Sequence, residues 1–412
     1  MARKFNIGLI GAGARGEVFA RQLYAQTPRA RLFGICDIDS DRLEKFCNYA
    51  GLTHARRFTD TQAFLNEAEL DGVVVSVPEW IHADVTCAAL AAGKHVYLEK
   101  PLATTLADCY RIERAGRHSD RTLFIGFNMR ANSWFQKIRE LVRDGAIGEV
   151  FHISGLEQMS VAHGAAFMRR WHRKEAHTGG FLNSKCCHDL DILQWIIGHE
   201  HRIARVASFG GLNLFDAAHA PTGHGTHCSN CPMSVKSKCP YVDQAGFFFP
   251  VHGDTPIHKT MQADVYGNDL CVYNTDKDIV DNQTLIFEWD HGVRGDFNLK
   301  PFQHYGHREM RVWGEKGTIA MTHGPQNKDL MRLTLTASGD EQEFHFEPRK
   351  GGHGGTDPFM LGKFIDAIEA GGASDSGVAH GLAATLLSLK ADESRKTGRV
   401  VEIHPSEYRA PD

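Results

Sequence analysis

No apolar run in the 412-residue sequence reaches the ~18 residues that a membrane-crossing helix needs. Phe5–Ile10 is needed as a strand and so does not read as the apolar centre of a secretory leader, which makes a cytoplasmic protein the expectation. An excess of charge of one sign is also lacking: 46 Lys and Arg stand against 50 Asp and Glu, a net charge of −4. Without a broad basic surface there is no electrostatic case for nucleic acid or anionic lipid, and a small-molecule partner is expected. The chain has no low-complexity tract and no internal repeat, which excludes a disordered or solenoid protein. What remains, 42% hydrophobic and 23% charged residues over a length suited to two cores, describes a folded two-domain protein.

From Lys4 to about Ile125, short β-branched runs alternate with stretches of helical spacing, as in a parallel sheet with crossover helices. The expected strands are Phe5–Ile10, Leu32–Cys36, Gly72–Ser76, His95–Leu98 and Leu123–Gly126. After a helix over Ser133–Asp144 the pattern changes to longer alternating runs with tight turns: Glu149–Glu157, Gln283–Lys300, Arg308–Met321 and Leu330–Phe346. Helices near Pro358–Ala370 and Gly377–Thr397 close the chain. The fold class is therefore α/β: a doubly wound Rossmann domain over 1–127, then an α+β domain over 128–412 with a mostly antiparallel open-faced sheet.

The loop Gly11-Ala12-Gly13-Ala14-Arg15-Gly16 follows a strand and opens a helix, the context in which a GxGxxG pattern carries meaning. Gly11 allows the tight turn, Gly13 lets a pyrophosphate approach the backbone, and Gly16 permits close helix-to-strand packing. Asp37 lies 21 residues after Gly16, at the end of the second strand, where a carboxylate accepts both ribose hydroxyls. The expected cofactor is NAD. Asp37 would repel the 2′-phosphate of NADP, a preference that Arg15 and Arg42 soften if either pairs with that phosphate.

The run Ala91-Ala92-Gly93-Lys94-His95-Val96-Tyr97-Leu98-Glu99-Lys100-Pro101-Leu102 resembles the Gfo/Idh/MocA family, named for glucose-fructose oxidoreductase and inositol dehydrogenase. The resemblance extends to the glycine loop, to Val77-Pro78…His82, to Gly179-Gly180 followed by His188 and Asp191, and to Asp392-Glu393-Ser394…Thr397-Gly398. It implies hydride transfer between a secondary hydroxyl of a sugar, glycoside or cyclitol and the nicotinamide. Lys100 would polarise the hydroxyl and His188 act as acid/base. It further implies that Ser76, Val77, Pro78, His82, Glu99 and Asn128 join the glycine loop and Lys100 around the cofactor. Ser184, Lys185, Asp191, Trp171 and His353 would contact substrate, and His304, His307 and Arg308 lie where such contacts are often made. Homo-oligomers, dimer or tetramer, are implied as well. One departure stands out. Four residues before its histidine the family usually carries Asp, and here Ser184 stands there, able to hydrogen-bond but not to bring charge.

An insertion near 219–241 holds His224, His227, Cys228, Cys231 and Cys239. In a chain expected to be cytoplasmic, ten cysteines read as buried thiols or metal ligands rather than disulfides. The Cys-x-x-Cys pair, a third Cys and a histidine make a structural zinc site with Cys228, Cys231, Cys239 and His227 an expectation. The residues Cys231-Pro232 and Cys239-Pro240-Tyr241 are similar to a stretch in a subset of the family. Two further functions use the same fold: a redox-cycling glycosidase or lyase with tightly bound NAD, and an NAD-sensing regulator without turnover. Retention of both Lys100 and His188 speaks against the second.

Overall fold

The computed structural model describes residues 4–25, 28–242, 269–324, 327–346, 352–372 and 374–411, the side chains of 327–328 and 352–354 excepted. The first sheet takes strands β1 (Phe5–Ile10), β2 (Ala30–Cys36), β3 (Arg56–Phe58), β4 (Gly72–Val75), β5 (His95–Leu98) and β6 (Leu123–Ile125). Between them run helices α1 (Ala14–Tyr24), α2 (Ser40–Tyr49), α3 (Thr61–Leu65), α4 (His82–Ala91) and α5 (Leu106–Arg117). All pairings are parallel in the order β3-β2-β1-β4-β5-β6. Ile7, Leu9, Val73, Val74, Val75 and Val96 have no exposed surface, because helices cover both faces, and that is why these strands read as continuous apolar runs. Strand β3 lacks that signal: it is a three-residue edge strand with two exposed arginines, Arg56 and Arg57, and sequence pattern gave no strand there. The order reverses between β1 and β4, the crevice where ligands of such sheets sit, and both the glycine loop and Ser76 open onto it.

The second sheet follows helix α6 (Ser133–Arg143). Its strands are β7 (Val150–Ser160), β8 (Ile203–Gly211), β9 (Asn282–Trp289), β10 (Arg294–Gln303), β11 (His307–Gly314), β12 (Gly317–Gly324), β13 (Asn327–Leu335), β14 (Glu341–His345) and β15 (Val401–Glu402). They run in the order β14-β13-β12-β11-β7-β10-β9-β8-β15, antiparallel throughout except for the β7–β10 pair. Alternation sets its faces: Leu285 and Phe287 point into the core, while Ile286 beside them is 58% exposed.

Helices α7 (Val161–Arg169), α8 (Glu175–Thr178), α9 (Phe181–Ile197), α10 (Met233–Lys236), α11 (Gly352–Glu369) and α12 (Val378–Thr397) complete the described residues. The last two cross back. Met360, Leu361, Phe364 and Ile365 of α11 pack with Ile7, Leu9, Phe19 and Phe124, and Leu382 and Ala384 of α12 pack with Val75, Leu98 and Ile125. The first sheet is thus roofed by the end of the chain. No helix among the described residues is long and apolar enough to cross a membrane.

Helix α9 starts at Phe181 and so carries Ser184, Lys185 and His188 within its first turns. Gly179 (φ 68°) and Gly180 (φ 98°) turn the chain immediately before it. A Cβ on Gly179 would lie 2.5 Å from the Thr104 carbonyl oxygen and one on Gly180 2.3 Å from Asp392, so only glycine fits this entry. Every residue from Phe181 to Ile196 is buried. A helix enclosed on all sides must find partners for each polar group it carries, and those partners define the site.

Candidate active site

At the β1–α1 junction the glycines are required by contact. A Cβ on Gly11 would approach the Ser76 carbonyl oxygen to 2.6 Å and one on Gly16 the Gly11 oxygen to 2.2 Å, whereas one on Gly13 would meet nothing within 4 Å. That open space lies over the amino end of α1, whose first N–H groups have no side-chain cap and face outward as an anion seat. Asp37 is 7% exposed; its Oδ2 accepts from the Ala12 N–H at 2.9 Å and its Oδ1 from the Asp39 N–H at 3.0 Å. The carboxylate is thereby fixed beside the loop. The residues present fit a dinucleotide: a bare turn for the pyrophosphate and an aimed acid for the ribose.

Both arginines near the loop are engaged by carboxylates. Arg15 donates to Glu99 Oε1 at 2.7 and 3.0 Å and to both oxygens of Asp357 at 2.8 and 3.0 Å. Arg42 lies 3.4 Å from each of Asp37 and Asp39. The Arg15 bridge ties the loop to Glu99 and to α11, so Glu99 braces the cofactor loop through Arg15. Ser76 also serves the loop's shape, its hydroxyl donating to the Gly11 oxygen at 3.1 Å. His82, expected against the cofactor, is 1% exposed with Nδ1 2.8 Å from the Pro101 oxygen and Nε2 3.1 Å from the Val77 oxygen. It pins the Val77-Pro78 and Lys100-Pro101 loops together, and burial, the largest influence, lowers its pKa. Asn128 is buried on the turn after β6.

Lys100 leaves β5 and reaches α9, where Nζ donates to the Ser184 carbonyl oxygen at 2.9 Å. In an α-helix that oxygen also receives the N–H of residue 188, so the ammonium binds the helix backbone one turn before His188. His188 is 9% exposed and its ring abuts the edge of Phe127 at 6.3 Å. One N–H of the lysine is used by Ser184, which leaves two donors for a ligand.

A carboxylate does stand at Ser184. It comes from the other domain: Glu79, in the turn after Pro78, accepts from Ser184 Oγ at 2.9 Å through Oε1 and from Trp171 Nε1 at 3.0 Å through Oε2. Its side chain is 11% exposed, and His172 Nε2 lies 3.8 Å away. Burial works against its charge, yet His172, its own backbone N–H, Lys100 and Trp171 together hold its pKa below the ordinary glutamate value. His172 itself is pushed down to about 3, by burial above all, and is neutral near pH 7. His163 of α7 is likewise driven well below its ordinary value by burial and by Lys185, Arg308 and Lys100, whose fields converge there.

Lys185 does not point to water. Its Nζ lies 2.9 Å from Glu157, whose other oxygen is 2.6 Å from Arg308, and Arg308 is 2.9 Å from Asp189. This buried set of two cations and two anions clamps α9 to β7 and β11. Asp191 departs from the substrate role expected of it. It has no exposed surface and is held by Arg130 at 2.6 and 2.7 Å in a bidentate pair. Asp189 and Asp191 thus each have their own arginine, Arg308 and Arg130. The His353 side chain lies outside the described residues.

Glu79, His163, His172 and Glu157 were missed by sequence reasoning. A signal for Glu79 existed: it stands inside the Val77-Pro78…His82 segment, and the missing Asp at 184 called for a carboxylate from elsewhere.

In the insertion, Cys228, Cys231, Cys239 and His227 line one cavity of about 20 Å³ with His224 and Cys271. All four cysteines are free thiols. Among the described residues the donors that lie within 4.8 Å of one another as a set of three are His201, Asp290 and His291, so the insertion's donors surround a space rather than touch.

Two family models match the chain: "Oxidoreductase family, NAD-binding Rossmann fold" over residues 5–127 and "Oxidoreductase family, C-terminal alpha/beta domain" over residues 139–403. Inositol 2-dehydrogenase 3 of Saccharopolyspora erythraea is 23% identical over 96% of this chain and 95% of its own length. Myo-inositol 2-dehydrogenase of Thermotoga maritima is 31% identical, but over 47% of this chain and 55% of that protein. Among solved structures, levoglucosan dehydrogenase in complex with NADH superposes with a TM-score of 0.74 at 17% identity, covering 98% of this chain and 100% of the other. Scyllo-inositol dehydrogenase from Lactobacillus casei with bound NAD(H) and scyllo-inositol gives 0.68 at 18% identity, covering 97% and 99%. At these identities the structural likeness speaks to the fold.

Proposed function

Because the chain belongs to the Gfo/Idh/MocA oxidoreductase family, we propose that it oxidises a secondary hydroxyl of a sugar, glycoside or cyclitol reversibly with NAD. The observation that carries this reading is the Lys100 ammonium on the Ser184 carbonyl, one helical turn before His188. NAD supplies the hydride acceptor. The chain supplies the rest. Lys100 offers its two remaining N–H donors to the substrate oxygen and stabilises negative charge as it forms, while His188 takes the hydroxyl proton. Glu79 takes the Ser184 hydroxyl proton into a hydrogen bond, which turns the serine lone pairs toward a neighbouring hydroxyl of the substrate.

NAD over NADP is supported by the fixed Asp37 and by the engagement of Arg15 and Arg42 with carboxylates. The relatives named above are dehydrogenases, and nothing in the geometry favours a redox-cycling glycosidase or a regulator without turnover. Ten free cysteines suit a reducing cytoplasm. Phe209 (77% exposed) and Ile286 (58%) on the uncovered sheet face support assembly of copies through that face.

The test is a panel. Purified protein with NAD and a set of hexoses, glycosides and inositols is expected to give reduced-cofactor absorbance with at least one member. Demonstrated NAD binding with no reduction by any member would reject the reading.

A further inference from the structure

We propose that Cys228, Cys231, Cys239 and Cys271 bind a single zinc ion, with Cys271 and not a histidine as the fourth ligand. The four cysteines are among the residues lining one cavity of about 20 Å³, room for one atom-sized occupant around which their thiols would close. Cys228 and Cys231 sit at the two ends of a turn closed by the Cys231 N–H on the Cys228 oxygen (3.4 Å), the two-residue spacing that lets both sulfurs reach one metal. Cys239 returns to the cavity after the short helix α10. Cys271 arrives from a distant part of the chain but is held in register: the Cys228 N–H donates to the Asp269 oxygen (2.6 Å), the Cys271 N–H donates to the Thr226 oxygen (2.9 Å), and His227 bridges Leu270.

Both histidines of the cavity have ring nitrogens engaged by protein groups. His224 has Nδ1 2.9 Å from the Pro221 oxygen and Nε2 against Asn274, so both ring nitrogens are used. His227 Nδ1 lies 3.1 Å from Thr226 Oγ1. Charge is provided for as well. Binding releases four thiol protons and leaves a centre of net charge −2, and the same cavity is walled by Arg169 and Lys236. Arg169, 1% exposed, also donates to the Tyr241 oxygen at 2.6 Å. From Pro221 to Val242 only Tyr241 is buried, so this loop has no apolar core of its own to hold it. It is nonetheless tied to the site. Thr275, four residues beyond Cys271, donates to the Met168 oxygen at the end of α7, just before Trp171 and His172.

The test uses the full chain, purified without added metal and dialysed against metal-free buffer. Elemental analysis is expected to find about one zinc per chain. Cys271→Ser and Cys228→Ser should each lower the zinc content at least about tenfold while NAD binding persists, and His227→Ala should leave it unchanged. Should a serine variant fail to bind NAD, cobalt(II) exchanged into the unaltered chain decides: a near-ultraviolet thiolate-to-cobalt absorption of four-thiolate intensity is expected. Four freely titrating thiols without zinc, a disulfide between any two, or iron in place of zinc would each overturn the proposal. So would zinc retained in Cys271→Ser but lost in His227→Ala.

Discussion

Exchanging Lys100 for methionine lowers turnover by roughly 10²–10⁴-fold, the span that a positioned proton-transfer or charge-stabilising group contributes, and leaves NAD affinity within about twofold. The asymmetry follows from where the lysine points. Its Nζ is spent on the Ser184 carbonyl oxygen and on what lies in the cleft, not on the glycine loop or Asp37. Methionine keeps the length and apolar stem of the side chain, and the carbonyl it abandons keeps its helical bond from residue 188, so no buried acceptor is orphaned. Steady-state rates with a reactive panel member, set beside NAD titration by protein fluorescence, check both halves. Equal loss of rate and of NAD binding would mean that Lys100 holds the fold of the loop and not the reacting oxygen.

The second large effect concerns the carboxylate that the chain supplies from the wrong domain. In Glu79→Gln one acceptor oxygen becomes a donor, so either Trp171 or Ser184 meets an N–H where it had an oxygen. The serine hydroxyl must then turn around, and kcat/KM is expected to fall roughly 10–100-fold, the cost of a substrate held about 1 Å out of place. Ser184→Asp alone is expected to be harmful too. It sets a second carboxylate within hydrogen-bond reach of Glu79, where two like charges cannot both be ionised cheaply. Combined, the two changes restore one charge to the pair, and the double variant should exceed the product of the single effects by at least about tenfold, a coupling of roughly 1.4 kcal/mol. Additive losses in that cycle would show that Glu79 and Ser184 act independently.

The fold was legible in proportion to how much each element buries. β1, β4 and β5 sit under helices on both faces, and their unbroken Ile, Leu and Val runs gave bounds that hold to about one residue. β3, exposed and three residues long, carried no pattern. The start of α9 was obscured for a different reason: Asn183-Ser184-Lys185 looks like a solvated loop, but each of these polar residues is buried and answered by a partner distant in sequence. Asn183 donates to the Ala103 oxygen at 3.0 Å, and Lys185 pairs with Glu157. Motif position pointed to the cofactor loop, Lys100 and His188, because glycines, the lysine and the histidine are each tied to local chain geometry. Glu79 could not be found that way, since its meaning lies in a hydrogen bond between residues 105 positions apart. Asp191 misled by the same logic, its partner Arg130 being set by helix packing rather than by spacing.

The most direct measurement follows one atom. A panel substrate that reduces the cofactor is prepared with deuterium on its carbinol carbon, and the products are read by mass spectrometry. Hydride transfer inside the cleft predicts one deuterium on the nicotinamide of the reduced cofactor and none in water. Deuterium released to solvent, or returned to the carbon it left with no net reduced cofactor, would contradict the account.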